Sequence, residues 1–143
     1  MSNEVDRAAV EAVAETIDNG FRNRDVAAIA ACYAPGAMIY DLAPPLGHPF
    51  DASGLGAWID TWKGPIDQEG RDFEVLVGGD LAVCYGLVKV SAVTADTVEQ
   101  AQWWQRLTVC LRKQGGAWKI VHEHASAPFH MDGSFRAAID QTP

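Results

Sequence analysis

AQWWQRLTVCLRKQGGAWKIVHEHAS, residues 101–126, reads as two long β-strands, Ala101–Lys113 and Ala117–Ser126, around the tight turn Gln114-Gly115-Gly116. Side chains on a strand point alternately to its two faces. Trp104, Arg106, Thr108 and Cys110 therefore share one face of the first strand, and Trp103, Gln105, Leu107, Val109 and Leu111 the other. On the second strand Trp118, Ile120, His122, His124 and Ser126 oppose Lys119, Val121, Glu123 and Ala125. Upstream, Asp72–Val77 and Leu81–Val93 keep the same period around Gly78-Gly79-Asp80. Four successive strands make an antiparallel meander, and strands longer than the usual five or so residues curl as they twist.

Before residue 72 the period is helical. Val10, Val13, Ala14, Ile17 and Phe21 form one apolar stripe. Asp25 caps a short second helix carrying Val26, Ile29 and Tyr33, which Pro35-Gly36 ends. Ala37–Tyr40 reads as a short strand and Leu42–Phe50 as irregular. Asp51 or Ser53 caps a third helix with Leu55, Trp58, Ile59 and Trp62 at its spacing, stopped by Gly64-Pro65. One-sided helices need a flat apolar partner. The fold class is thus α+β: a cone-shaped curved antiparallel sheet wrapped around a long N-terminal helix, plus two shorter helices. Residues 1–143 make one domain, with a core at about 5–129 and a short C-terminal tail. A bent sheet over helices leaves a hollow at its open end, where a small-molecule pocket would form.

The 143 residues carry a net charge of −8, with 48% hydrophobic and 21% charged residues. That mix is globular. Nucleic-acid binding needs clustered Lys and Arg, so neither nucleic acid nor an anionic membrane surface is an expected partner. No apolar run reaches the roughly 18 residues of a membrane span, and the acidic helical start lacks the pattern of a signal peptide. Cys32, Cys84 and Cys110 lie far apart and read as reduced, mostly buried thiols of a cytoplasmic protein.

Trp104-Gln105-Arg106-Leu107-Thr108 and the stretch Gly116-Ala117-Trp118-Lys119-Ile120-Val121-His122-Glu123-His124-Ala125-Ser126, following that order of elements, resemble the SnoaL-like, ketosteroid isomerase-like branch of the nuclear-transport-factor-2-like superfamily. The resemblance implies a cystatin-like cone, a homodimer packed through the sheets, and neither metal nor organic cofactor. It also places Asp41 where ketosteroid isomerases carry their carboxylate base. Their oxyanion-donating tyrosine would fall on Ile17, which has no proton to donate, so the steroid-isomerase reading is poorly supported.

On the residues themselves, Asp41 with His122 or His124 makes a candidate acid–base pair for proton transfer beside a carbonyl. Such a pair suits an isomerase, cyclase or hydratase that needs no cofactor. Placing Arg106 and Thr108 on the cavity face with His122 and His124 leaves Leu107, Val109 and Leu111 for the dimer contact. Arg106 would then hold an anionic group or steady an enolate. Tyr40, Trp58, Trp62, Trp104, Thr108 and Ser126 complete the ligand-binding candidates. His122 and His124 at i, i+2 make half of a strand-borne metal site that Asp41, His48 or His130 could complete, but all four histidines would have to gather at one end and the resembling family usually lacks metal, so no metal is expected. A non-catalytic ligand binder and an oligomer-assembly module are the alternatives.

Overall fold

The computed structural model describes residues 2–143. Helix α1 (Ser2–Arg22) buries Val10 at 1% exposure, with Val13, Ile17 and Phe21 partly buried along the same stripe. Asp6 ties its first turns to the far hairpin, accepting from Trp118 Nε1 at 3.2 Å and Lys113 Nζ at 3.1 Å. The Lys113 bond outweighs burial and holds the Asp6 carboxyl below its ordinary range. Helix α2 (Val26–Ala30) starts at its Asp25 cap, which accepts from Ala28 N–H at 3.1 Å. Gly20 of α1 lies against it so closely that a Cβ there would stand 2.5 Å from Ile29 Cγ1.

Tyr33 is not helical, and Pro35-Gly36 ends no helix. Strand β1 (Tyr33–Tyr40) begins at once, because Cys32 carbonyl accepts from Ile120 N–H at 2.8 Å and Tyr33 pairs with Ile120. Pro35 and Gly36, the latter with φ +76°, bow out between the pairs Tyr33–Ile120 and Met38–His122. The two-residue β2 (His48–Pro49) pairs with β1. Helix α3 (Ala52–Ile59) is capped by Asp51, which accepts from Ser53 N–H at 3.1 Å. It closes through Asp60 and Thr61 N–H on the Gly56 and Trp58 carbonyls, before Trp62 rather than at Gly64-Pro65.

Trp62 instead opens β3 (Trp62–Gly78), 17 residues long where the pattern shows only Asp72–Val77. Residues 62–71 are polar and broken by Gly and Pro, and pairing with β4 (Leu81–Thr94) draws them into the sheet. As an edge strand β3 tolerates Pro65 and its two irregularities. With β5 (Gln100–Gln114) and β6 (Ala117–Ser126) the sheet runs β2-β1-β6-β5-β4-β3. All its pairs are antiparallel except β1 with β6, a parallel pair that local alternation does not encode.

Two apolar clusters hold the layers together. One gathers Leu111, Trp118 and Ile120 under α1; the other gathers Ile29, Ile66 and Val90 under α2 and α3. Residues past β6 fold back on themselves, with Phe129 bridging to Ala137 and His130 N–H donating to Arg136 carbonyl at 2.7 Å. Cys32, Cys84 and Cys110 are free thiols; burial pushes Cys84 up to about 11. No helix among the described residues is long and apolar enough to cross a membrane.

Candidate functional site

A cavity of about 710 Å³ opens between α1, α3, the loop after β1 and the inner side of the sheet. Trp103, Gln105, Leu107, Val109 and Leu111 line it from β5, while Trp104, Arg106, Thr108 and Cys110 do not. The expected choice of faces is therefore corrected: the apolar set faces the helices, where burial removes it from water.

On β6 the alternation changes phase. Leu111 pairs with Ile120 but Cys110 with His122, so Val121 is an extra residue. Trp118 and Ile120 point into the core, and beyond the bulge Glu123 and Ala125 line the cavity while His122, His124 and Ser126 turn outward. On that outer face Tyr40 meets His122 and His124 edge-on, ring centroids 4.7 and 5.4 Å apart. His122 Nδ1 lies 2.8 Å from Met38 carbonyl, Arg106 Nε donates to Ser126 Oγ at 3.1 Å, and Thr108 pairs with His124. Trp104 sits beneath Lys89 Nζ at 6.0 Å. These candidates do come together, but outside the cavity. Trp62 backs the cavity wall, against Trp58 at 5.8 Å and Trp103 at 5.9 Å, without lining it. Asp41 and Trp58 do line it; Asp41 Oδ1 accepts from Leu42 N–H at 2.8 Å near the mouth.

Glu123 is the polar centre of the cavity. Strand β1 lies beside β6 there, and Tyr33 O–H donates to Glu123 Oε1 at 2.7 Å. Phe50 stacks flat on the Tyr33 ring at 4.1 Å and fixes it. Burial raises the Glu123 pKa, the Tyr33 hydrogen bond pulls it back, and the Asp41 charge raises it again. Burial first, then the Glu123 charge, holds the Tyr33 hydroxyl well above its usual value, so Tyr33 stays the donor. Across the cavity on α1, Asp18 is pushed up to about 6, mainly by burial, with Arg22 opposing and Glu15 adding.

The remaining wall is shaped by backbone irregularity. Asp72, at φ +56°, lies where the β3–β4 register breaks, and the break turns Phe73 into the cavity across Gly70 and Gly86. A Cβ on Gly86 would stand 2.8 Å from the Phe73 ring. Gln105 Oε1 accepts from Trp103 Nε1 at 2.8 Å, and His48 also lines the cavity. Sequence reasoning missed Glu123, Tyr33, Asp18, Gln105, His48 and Phe73 as cavity groups. Asp18 had a readable signal, a carboxylate bordering the apolar stripe at Ile17. Glu123 had none, because its facing depends on the bulge. Among the described residues, no cluster of three or more His, Cys, Asp or Glu is arranged to hold a metal.

The family model described as a SnoaL-like domain matches residues 10–130. Among solved structures, a nuclear transport factor 2-like protein of unknown function from Pseudomonas putida KT2440 is 29% identical, covers 98% of each chain and superposes with a TM-score of 0.83. A nuclear transport factor 2-like superfamily protein from Salmonella enterica serovar Typhimurium LT2 is 15% identical, covering 92% of this chain and 97% of that one, TM-score 0.77. A ketosteroid isomerase-like protein from Erwinia carotovora atroseptica is 18% identical, covering 84% and 94%, TM-score 0.68. No curated protein matches the chain.

Proposed function

We propose, from the premise that the chain belongs to the SnoaL-like domain family, that it is a cofactor-independent acid–base catalyst acting on a small carbonyl compound held in the cavity. The observation carrying this reading is the Glu123–Tyr33 pair, a carboxyl with a raised pKa and an oriented hydroxyl set among the apolar side chains of the cavity's inner sheet wall. Ionised Glu123 takes a proton from the carbon beside the carbonyl, and the C–H electron pair moves into the enolate. Asp18, about half protonated near pH 6, lines the opposite wall on α1. Return of the proton to a different carbon gives isomerisation; loss of a β-hydroxyl, protonated as it leaves as water, gives dehydration. Asp41, the position where the family resemblance would put the base, lines the same cavity as a further carboxylate.

The test is solvent deuterium exchange at the α-carbon of a ketone panel spanning steroids, polyketide-like diketones and aryl ketones, followed by NMR. Wild-type protein is expected to exchange at least one of them, and Glu123→Gln to slow it on the order of a hundredfold or more. Exchange that survives Glu123→Gln rejects the assignment. We also propose a homodimer through the outer sheet face, on which Leu76, Leu81 and Tyr85 are 55%, 51% and 45% exposed.

A further inference from the structure

We infer that the ligand of this cavity carries a protonated amine beside its apolar body. The inference rests on the cavity reading above and names the charge class of the ligand. Among the described residues that line the cavity, six are carboxylates and none is Lys or Arg. Glu11, Glu15 and Asp18 run along α1 at spacings of four and three, so like charges neighbour one another on a single helix face. That arrangement works against the helix. Asp41 and Asp51 face the same space from the loop and the α3 cap. Arg22, the cation nearest to Asp18 along the helix, directs Nε to Asp67 at 3.2 Å and Nη1 to Asn19 at 2.8 Å, and acts on Asp18 through its charge without a hydrogen bond.

Two of these carboxylates sit where water is scarce. Glu123 uses Oε1 for Tyr33 and leaves Oε2 without a hydrogen-bond partner among the described residues. Asp18 likewise accepts no hydrogen bond from them, although it lines the cavity half-buried. Neither carboxylate forms an ion pair among the described residues, and a ligand ammonium supplies that partner with three donors. The walls agree with that choice. Phe21, Trp58, Phe73 and Trp103 turn aromatic surface to the cavity, and aromatic faces attract cations. An anionic ligand, the class expected while Arg106 was assigned to the cavity, would face six carboxylates and no Lys or Arg.

Calorimetric titration of the full chain with tryptamine, tryptophol and indoleacetate separates the charge classes on one aromatic body. Tryptamine is expected to bind at least about tenfold more tightly than tryptophol, and indoleacetate more weakly than both. Asp18→Asn should cost tryptamine about tenfold while leaving tryptophol within about twofold. Tryptophol equal to or better than tryptamine overturns the inference, as does tightest binding by indoleacetate or no binding by any of the three at millimolar concentration. Deuterium exchange on ketones is read separately. Selective amine binding without any exchange would remove the catalytic reading alone, and exchange without amine preference would remove this inference alone.

Discussion

A carboxyl raised to about 6 in the folded chain, against an ordinary 3.8, binds its proton more tightly folded than unfolded, and Asp18 is such a group. Between those values the native state holds the extra proton. Stability therefore falls as pH rises through that window, and the cost persists above it. The full shift would correspond to roughly 3 kcal/mol, but Asp18 is partly open to solvent, so about 1 kcal/mol is the reasonable size. Asp18→Asn is accordingly expected to raise the melting temperature by a few degrees at pH 7 and to bring no gain near pH 4; an Asn variant less stable at pH 7 would contradict the burial argument. Asp6 has the opposite sign. Its lowered pKa adds stability above the unfolded value that fades as pH falls through the folded one, so Asp6→Asn should destabilise at neutral pH and converge with wild type in acid. At the site itself, the Tyr33 hydrogen bond lowers the Glu123 pKa. Tyr33→Phe should therefore move the acid limb of a deuterium-exchange profile to higher pH; an unmoved limb would mean that Glu123 is not the base.

Strands, turns and the apolar stripe of α1 follow from local chemistry, which is why β4, β5 and β6 fall within a residue or so of the periodic segments. What local chemistry cannot show is where an extra residue interrupts a strand. Val121 is one β-branched residue among others, yet its insertion sends Glu123 inward and His122 and His124 outward. Non-local pairing likewise claimed Tyr33 and Trp62 from the helices that their spacing suggested. Close approach between elements gives sharper tests. Gly86→Ala would drive a methyl into Phe73 and displace that wall of the cavity. A loss of about 1–3 kcal/mol is expected in denaturant unfolding, together with weakened ligand binding. Gly78 has nothing within 4 Å of its Cβ position, so Gly78→Ala serves as the tolerated comparison.

As a whole, the molecule presents two unlike sheet surfaces. The inner one, with α1, encloses an acidic, aromatic cavity; the outer one carries the Tyr40, His122 and His124 rings, Arg106 and an exposed apolar band. The superfamily and its cone were legible because the order of elements and the terminal hairpin survive any choice of faces. Of the candidates named from the sequence only Asp41 and Trp58 line the cavity, since those on β5 and β6 depended on that choice and Trp62 on a helix that ends before it. If the outer band is a dimer contact, Leu76→Arg with Tyr85→Arg should yield a monomer in analytical ultracentrifugation while wild type sediments as a dimer; a monomeric wild type would end that proposal. The most direct measurement is a thermal-shift screen of ketones and aryl amines, repeated on Glu123→Leu and on the double variant His122→Ala/His124→Ala. A ligand in the cavity predicts a melting shift of a few degrees that vanishes in Glu123→Leu and persists in the double histidine variant. A shift lost with the histidines and kept without Glu123 would place ligand binding on the outer face and contradict the cavity as the working site.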